Sequence, residues 1–407
     1  MGEKRRIELL CPAGDPEKLQ MALTFGADAV YLAGNSFGMR AAAGNFDRTQ
    51  LTDAAALCKR ENVALHVTCN TLPRDTELSA LPEYLEFLDS LRVDALIVAD
   101  LGVFRLAQQY APHIPLHVST QAGVVNTADA KAWQDLGAKR VILARELSLD
   151  EIRTLRQNTD KSLEIEAFVH GSMCVSYSGR CLLSEYMVGR DANRGACAQP
   201  CRYQYALVEE KRPGQYYPIR EEDGETFLLN SNDMCMIDHL PELLEAGLDS
   251  LKIEGRGKSA YYAASTTAAY RGALDQVLRG EPVSPLWREE TEKTSHRPFS
   301  TGFYFGTPGQ YTQSSRYIQD YQVVAAVASC DKNGYALVDL RNKFSLGDTL
   351  EILAPGLLPV TFTVVTLQSA EGEPLDVARN LNLQFGVQLP VTVPPGSLLR
   401  RSLDPTT

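Results

Sequence analysis

The chain has 407 residues, of which 44% are hydrophobic, so it is long enough for one large domain and a smaller one. Its formal net charge of -11 provides no overall basic field for nucleic acid, and no apolar run approaches the length of a membrane span. The first residues carry no apolar signal sequence, which predicts a cytoplasmic protein with no membrane partner.

A strand-then-helix pattern repeats from residue 7 to about residue 280. Short runs rich in Val, Ile and Leu alternate with amphipathic stretches such as PEKLQMALTFGA and ADAKAWQDLGA, several of which end in Gly just before the next strand. The predicted strands are 7–11, 29–33, 64–69, 95–99, 116–120, 140–144, 163–169 and 250–255. Eight strands alternating with helices favour a parallel (β/α)8 barrel of the TIM type, with a doubly wound open sheet as the alternative.

Four of these strands carry polar side chains on one face and apolar side chains on the other. The polar residues are His66, Thr68, Asn70, His117, Ser119, Gln121, Glu164, Glu166, His170, Lys252, Glu254 and Arg256. A barrel lumen that serves only packing would be dominated by Val, Ile and Leu. Any one of these residues is more often a hydrogen-bonded core residue than a ligand contact. Four polar strands together, however, predict a ligand pocket, because buried charges need partners.

Five of the nine cysteines are concentrated after the seventh predicted strand. The five are Cys174, Cys181, Cys197, Cys201 and Cys235. In a reducing compartment, clustered thiols are more often metal ligands or redox groups than disulfides. Their spacing does not match the paired CxxC motifs of a zinc ribbon, whereas an iron–sulfur cluster accepts four thiolates at uneven spacing. Buried, inert thiols are the alternative, and we expect them at the remaining positions, Cys11, Cys58, Cys69 and Cys330.

The cysteine-rich insertion (171–249) falls on the face where barrel enzymes have their active sites. Between residues 180 and 220 there are seven Lys or Arg and four Asp or Glu, a local net charge of +3. Such an excess is typical of a surface that meets phosphates, with a solvated basic loop as the alternative. The sequence contains no GxSxG, HExxH, P-loop or GxGxxG motif.

The C-terminal part of the chain has a different pattern. Residues 281–320 are rich in Pro, Thr and Ser and are predicted to be a linker that follows the barrel domain (1–280). From residue 321 to 407, short strands separated by Gly and Pro turns predict a small antiparallel β-barrel. Its phrases KFSLGDTLEIL and PPGSLLRR resemble the barrels appended to translation factors, so RNA binding and a simple packing role both stay open.

Several long motifs resemble those of one family. EAFVHGSMCVSYSGRCLLS resembles the signature of the collagenase-like peptidases of unknown catalytic type, family thirty-two. The segments CPAGDPEKLQMALTFGADAVYLAG, GRDANRGACAQPCRY and SLKIEGRGKSAYY are similar to that family as well, so the resemblance covers the barrel nearly end to end. The C-terminal domain and the GRDANRGAC motif most resemble the tRNA 5-hydroxyuridine modification branch.

This resemblance implies a [4Fe-4S] cluster and oxygen-independent hydroxylation of the wobble uridine in the tRNA anticodon loop. It also implies a small-molecule hydroxyl donor, with prephenate as a possible co-substrate. The implied cluster ligands are Cys174, Cys181, Cys197 and Cys235, with Cys201 as an alternate ligand in place of Cys197. The alternatives are a collagenase-like peptidase, hydroxylation of another RNA base or a small aromatic substrate, and a non-catalytic RNA-binding protein. A Cys–His protease that uses Cys174 and His170 is a formal variant of the first alternative.

Site residues follow from the polar strands and the basic insertion. The residues expected to line the substrate pocket are His170, Lys252, Glu254 and Arg256, with Glu166 and His117 deeper in the lumen. The residues expected to contact RNA phosphates are Arg180, Arg190, Arg194 and Arg202. A target base must leave its stack to enter such a pocket, which an anticodon loop permits at low cost. Nothing in the sequence indicates an oligomeric state.

Overall fold

The computed structural model describes residues 7–39, 44–174, 176, 180–202, 206–208, 216–218, 231–308, 317–381 and 383–403, with the backbone alone at 202, 206–208 and 216–218. The chain forms two compact units. The first comprises Met1–Leu19, Asp28–Lys258 and His296–Tyr317, and the second comprises Gln20–Ala27, Ser259–Ser295 and Ile318–Thr407. The linker predicted at 281–320 is therefore divided between the two units.

The first unit follows the predicted alternation of strands and helices. Its strands are β1 (Glu8–Pro12), β2 (Ala29–Ala33), β3 (Ala64–Cys69), β4 (Ala95–Val98), β5 (Leu116–Val118), β6 (Arg140–Ile142), β7 (Glu164–Ser172), β8 (Ala206–Val208), β9 (Tyr216–Pro218), β10 (Asp233–Cys235), β11 (Ser250–Ile253) and β12 (Phe299–Ser300). The helices from the N-terminus to β11 are α1 (Pro16–Thr24), α2 (Arg48–Glu61), α3 (Asp75–Leu78), α4 (Leu81–Leu91), α5 (Leu101–Tyr110), α6 (Thr127–Asp135), α7 (Leu149–Gln157), α8 (Leu183–Val188) and α9 (Leu240–Glu245). All eight predicted barrel strands are present.

The sheet of the first unit is a closed parallel barrel. Strands β1 to β7 pair in chain order, and β11 pairs in parallel with both β1 and β7. Closure confirms the predicted (β/α)8 barrel and excludes the open sheet, because an open sheet would leave two edge strands without a partner. The register of the closing pair shifts between Lys252 and Ile253, so that Ile253 lies opposite His170.

An aspartate immediately before a strand recurs around the barrel. The carboxylate of Asp28, which precedes β2, accepts the backbone N–H of Leu9 (2.9 Å). Asp94, before β4, does the same for Leu65 (2.8 Å), and Asp249, before β11, does so for Ile165 of β7 (2.8 Å). Each carboxylate satisfies a backbone donor at a strand start and thereby fixes the register of two neighbouring strands.

Glycines terminate several of the helices, as the sequence predicts. Gly247 follows α9 with φ of 89°, and a Cβ there would lie 2.5 Å from the side chain of Arg156. A left-handed backbone and a close neighbour both require glycine at this position.

The insertion after β7 adds a strand that pairs with the end of β7. Strand β10 runs antiparallel to the end of β7, with Cys235 opposite His170, and β12 extends this sheet in parallel to β10. Strands β8 and β9 form a separate antiparallel pair.

The second unit contains an antiparallel sheet and two helices, α10 (Ala260–Arg279) and α11 (Pro285–Glu292). Its strands are β13 (Tyr321–Cys330), β14 (Tyr335–Leu340), β15 (Phe344–Ser345), β16 (Thr349–Leu353), β17 (Val360–Thr363), β18 (Leu367–Ser369), β19 (Val377–Ala378), β20 (Gln384–Gln388) and β21 (Leu398–Ser402). Seven of these pair in the order β17-β16-β21-β13-β14-β20-β18, so the predicted antiparallel β domain is a half-barrel with two edges. In the part of the chain that the structure describes, no helix is both long and apolar enough to cross a bilayer.

Candidate active site

A cavity of about 480 Å³ opens at the carboxyl-terminal ends of the barrel strands. Its wall includes Tyr31 of β2, Thr68 of β3, Phe168 of β7 and Lys252 of β11. The insertion after β7 supplies further wall residues between positions 172 and 201. This volume is within the range of small-molecule sites, and this is the face at which barrel enzymes perform their chemistry.

Four of the five clustered cysteines line this cavity. They are Cys174, Cys181, Cys197 and Cys201. Cys174 and Cys197 are exposed, whereas Cys181 and Cys201 are half-buried. The fifth, Cys235, is buried in β10 opposite His170 and is not among the described residues that line the cavity.

Side chains of the insertion hold the cysteine-bearing segments together. The Asn193 amide accepts the backbone N–H of Cys181 (3.2 Å) and donates to the Cys181 carbonyl (2.8 Å). The Ser184 hydroxyl accepts the backbone N–H of Ala198 (3.0 Å), which ties α8 to the segment around Cys197. Polar clamps of this kind fix a loop in which large apolar side chains such as Leu182 and Tyr186 stay exposed.

The thiols of the described residues do not converge on a single ion. Among the described residues, no three cysteine sulfurs lie within 4.8 Å of one another, as one shared ion would require. A four-iron cluster is a larger body, so its corners hold thiolates further apart. The backbone N–H of Gln199 donates to Cys197 Sγ (3.4 Å), and such hydrogen bonds stabilise a ligand thiolate and tune a cluster.

The charged residues on the cavity wall are mostly cationic. Arg145, Arg190, Lys252 and Arg256 line the cavity together with one carboxylate, Glu254. Four cations and one anion leave a formal excess of three positive charges, although the chain as a whole carries -11. A cavity with this balance favours an anionic ligand, because a concave site concentrates the field of its wall.

Contacts from the barrel hold these cations in fixed positions. Lys252 Nζ lies 4.4 Å from the ring centroid of Tyr31 and donates to Glu166 Oε1 (2.8 Å). The guanidinium of Arg145 lies over the Phe168 ring at 4.3 Å. Arg256 donates to the Thr68 hydroxyl (3.2 Å). Cation–π contacts and hydrogen bonds of this kind restrict long side chains to one orientation, which prepares the wall for a ligand.

A second polar layer lies towards the amino-terminal ends of the strands. Its centre is Arg140 of β6, which donates to Glu166 Oε2 (2.9 Å), to Glu164 Oε2 (2.7 Å) and to Glu8. Although burial alone would raise it, the charge and hydrogen bonds of Arg140 lower the pKa of Glu8 to about 2. Burial likewise opposes ionisation of Glu166, but Lys252 and Arg140 lower the pKa of its carboxyl group.

Two histidines of this layer are buried side by side. His66 on β3 and His117 on β5 are 2% and 4% exposed. Burial lowers the pKa of both imidazoles, that of His117 strongly, so both rings are neutral at pH 7. Neither ring is among the described residues that line the cavity, so His117 and Glu166 lie deeper than the cavity wall.

His170, which the sequence predicts at the pocket, lies elsewhere. Its ring packs against Phe299 of β12 with centroids 5.4 Å apart, and it is not among the described cavity residues. The register shift between β7 and β11 changes which β7 side chains face the lumen near the strand end. Phe168 lines the cavity instead.

The arginines predicted to contact RNA have different surroundings. Arg180 and Arg190 are exposed, and Arg190 lines the cavity. Arg194 donates to Glu77 Oε1 (2.6 Å), which connects the insertion to α3. The side chain of Arg202 lies outside the described residues.

Several site residues carry no clear signal in the sequence. Tyr31, Arg145 and Asn193 were not predicted to belong to the site, yet Tyr31 and Arg145 orient or extend the cationic wall and Asn193 clamps Cys181. Tyr31 is the one residue with a polar group in the apolar run AVYLA of β2. Examining β2 for alternation of polar and apolar side chains, as was done for the other strands, would have identified it.

The fold and this cavity define a class of protein: a closed (β/α)8 barrel whose mouth is lined by cysteines of an insertion, with a C-terminal antiparallel domain. The chain belongs to peptidase family U32. The family model matches residues 14–314, and the model of the U32 C-terminal domain matches residues 319–400.

Three relatives show how this family is described. The tRNA hydroxylation protein P1 of Bacillus subtilis is 34% identical over 98% of this chain and 95% of its own length. The tRNA hydroxylation protein P of Escherichia coli is 35% identical, with 91% of each chain covered. An uncharacterized protease of Methanocaldococcus jannaschii is 40% identical over 85% of this chain and 86% of its own.

Proposed function

We propose that this protein is a tRNA-modifying enzyme that hydroxylates C5 of the wobble uridine to give 5-hydroxyuridine without using O2. The proposal includes a [4Fe-4S] cluster held by Cys174, Cys181, Cys197 and Cys235, with Cys201 as the alternate ligand. It also includes prephenate as a co-substrate. The observation that carries the proposal is the lining of one cavity by both cysteine thiols and a cationic wall. The similarity to tRNA hydroxylation proteins over nearly the whole chain supports the choice of substrate.

The barrel residues bind and orient the reactants in this proposal. Lys252 and Arg256, both buried on the cavity wall, bind the carboxylate of a co-substrate or a phosphate of the RNA. Glu254, on the same wall, accepts hydrogen bonds from the base or from a hydroxyl group of the co-substrate. The flipped base enters the cavity from the mouth, where Arg190 is exposed and able to contact a phosphate.

Replacing C5–H by C5–OH is a two-electron oxidation, so a small-molecule donor must supply the oxygen and an acceptor must take the electrons. A bound iron–sulfur cluster supplies electron transfer or Lewis acidity at the cavity mouth. The buried cations of the wall hold the donor beside the base, and the enclosed barrel lumen limits access of bulk water.

Nucleoside mass spectrometry of tRNA tests the proposal. In a strain that lacks this gene and any paralogue, 5-hydroxyuridine derivatives should disappear, and expression of the wild-type protein should restore them during anaerobic growth. Persistence of these nucleosides at the wild-type level in the deletion strain would exclude the proposed activity.

Serine variants of the cysteines test the cluster. C174S, C181S and C235S should each lose iron and the visible absorption of anaerobically purified protein, together with 5-hydroxyuridine in the complementation assay. C197S and C201S distinguish the two candidates for the third ligand, because only the ligand variant should lose iron. C330S is the matched control, since Cys330 lies in the antiparallel sheet of the second unit. Equal iron content in all variants would contradict a cluster at the mouth.

The second candidate function is peptide hydrolysis, which the family name and the relative from M. jannaschii suggest. A Cys–His protease needs its thiol and imidazole within hydrogen-bond reach. Cys174 lines the cavity, whereas His170 is not among the described cavity residues and packs against Phe299. Cleavage of gelatin by anaerobic wild-type protein, abolished in H170N, would favour the peptidase over the hydroxylase.

A further inference from the structure

The floor of the barrel contains a pair of buried histidines that the proposed reaction does not use. His66 and His117 project from β3 and β5, with ring centroids 4.9 Å apart and ring planes at 86°. Each precedes by two residues a side chain that lines the cavity, Thr68 and Ser119 respectively. Because side chains alternate along a strand, the imidazoles lie on the lumen face, one layer below the cavity.

The Nδ1 nitrogens of these rings lack hydrogen-bond partners. Within the described part of the chain, the Nδ1 atom of each ring is fully buried and makes no hydrogen bond. A buried imidazole normally pairs its nitrogens, since an unsatisfied buried polar atom is costly. Two adjacent rings in this state, inside a lumen rich in charge, indicate that something other than protein satisfies them.

Glu166 brings a carboxylate to the same place. One ligand atom from each of His66, His117 and Glu166 lies within 4.8 Å of the other two, and this is the single such group among the described residues. Lys252 and Arg140 each donate to a different oxygen of Glu166, at 2.8 and 2.9 Å. Each oxygen keeps a second lone pair, so these two cations fix the carboxylate while it can still bind a ligand.

The charges of the layer are balanced. Three carboxylates, Glu8, Glu164 and Glu166, surround Arg140, and Lys252 and Lys139 are the other basic groups in contact with them. Three negative and three positive charges leave no net positive charge that would repel a metal ion. Each ring has a buried Nδ1 atom without a hydrogen-bond partner, and an imidazole nitrogen is a common metal ligand.

We propose that His66, His117 and Glu166 form a binding site for one divalent first-row transition metal ion in the floor of the barrel, separate from the thiol-lined mouth. Two neutral imidazoles and one carboxylate are ligands typical of Zn²⁺ and Fe²⁺ sites. The ion would satisfy the imidazole nitrogens and connect β3, β5 and β7 beneath the cavity. An ordered water that bridges the rings is the competing explanation, and the experiment below distinguishes the two.

Zinc binding by the full-length protein tests this site. Protein stripped with a chelator is dialysed against Zn²⁺, its metal content is measured by mass spectrometry, and crystals of the same sample are used for an anomalous difference map at the zinc edge. The wild type should bind one zinc more than the H66N/H117N double variant, because the cysteines are present in both. H113N is the matched control, since His113 is an exposed histidine paired with Asp89 (2.8 Å).

A zinc peak among His66, His117 and Glu166 would support the proposal, and H113N should bind as much zinc as the wild type. Density at that place without an anomalous signal identifies a water and overturns the proposal, as does equal zinc content in the wild type and a folded double variant. If the double variant fails to fold, as judged by circular dichroism, the map of the wild-type crystal decides the question alone. None of these outcomes depends on the RNA substrate.

Discussion

At the scale of single residues, Arg256 shows how a barrel strand delivers a cation to the cavity. It follows β11, is 4% exposed and donates to the hydroxyl of Thr68 across the barrel (3.2 Å). A guanidinium offers a planar set of donors that an ammonium cannot reproduce. We expect R256Q to reduce 5-hydroxyuridine formation by about tenfold or more, the effect of losing one charge-assisted hydrogen bond.

R256K is the matched variant for this prediction. It keeps the charge but loses the fork of donors, so an intermediate loss is expected in tRNA mass spectrometry after complementation. Thermal unfolding of both proteins controls for stability. Wild-type levels of modification in a folded R256Q variant would remove Arg256 from the site.

The ionised side chain of Glu8 contributes to the stability of the fold, and this contribution depends on pH. Its pKa, about 2, lies below the ordinary value of 4.5 because Arg140 favours the ionised form despite burial. A lowered folded-state pKa stabilises the protein above pH 4.5, and this contribution is lost as the pH falls from 4.5 towards 2. A shift of this size corresponds to roughly 3 kcal/mol at neutral pH.

E8Q should therefore unfold at a lower temperature than the wild type at pH 7, and the difference should shrink as the pH falls from 4.5 to 3. Thermal unfolding followed at several pH values measures this. E86Q, which changes an exposed glutamate on α4, should behave like the wild type. A constant difference between E8Q and the wild type across this pH range would contradict the assigned role of the carboxylate.

At the scale of elements, the described part of the insertion after β7 is held by polar clamps. Asn193 bonds both the N–H and the carbonyl of Cys181, so the segment that carries this thiol is held by one side chain. We expect N193A to lose bound iron faster in air than the wild type, by several-fold, because its cysteine segment moves more freely. The decay of visible absorption after exposure to air measures this rate.

N193D provides the control for this clamp, since it keeps the group that accepts the Cys181 N–H and removes the group that donates to the carbonyl. Its rate should fall between those of N193A and the wild type. Identical rates for all three proteins would show that the clamp does not protect the cluster.

The barrel strands were predictable from the sequence because each contains a short, buried run rich in apolar residues, and because β2, β6 and β11 each follow a helix-terminating glycine. Their closure was not, because the pairing of β11 with β7 and β1 joins residues more than 80 positions apart. The burial of Lys252 and Glu166 on one face followed from alternation along the strands. The position of His170 did not, since the register shift beside it changes the phase of that alternation. The salt bridges of Arg140 were also missed, because one arginine in RVILA gives no periodic signal.

At the scale of the whole molecule, positive charge is concentrated in one region although the chain as a whole is acidic. The chain carries a net charge of -11, yet the charged side chains of the cavity wall sum to +3 and the segment from 180 to 220 also sums to +3. A polyanion such as tRNA is repelled by the protein at long range, so its binding must depend on this local positive region.

This distribution predicts how tRNA affinity responds to salt. Each phosphate contact contributes about 0.7 to 0.9 to the slope of log K against log salt concentration. Replacing the exposed Arg180 and Arg190 by alanine should therefore reduce the slope by about 1.4 to 1.8, as measured by filter binding of an anticodon stem-loop across a salt series. R60A is the control, because Arg60 is an exposed arginine on α2 that pairs with Glu61. If R60A lowers the slope as much as the double variant does, the salt dependence reflects the overall charge of the protein. That result would show that the RNA does not bind at the cavity mouth.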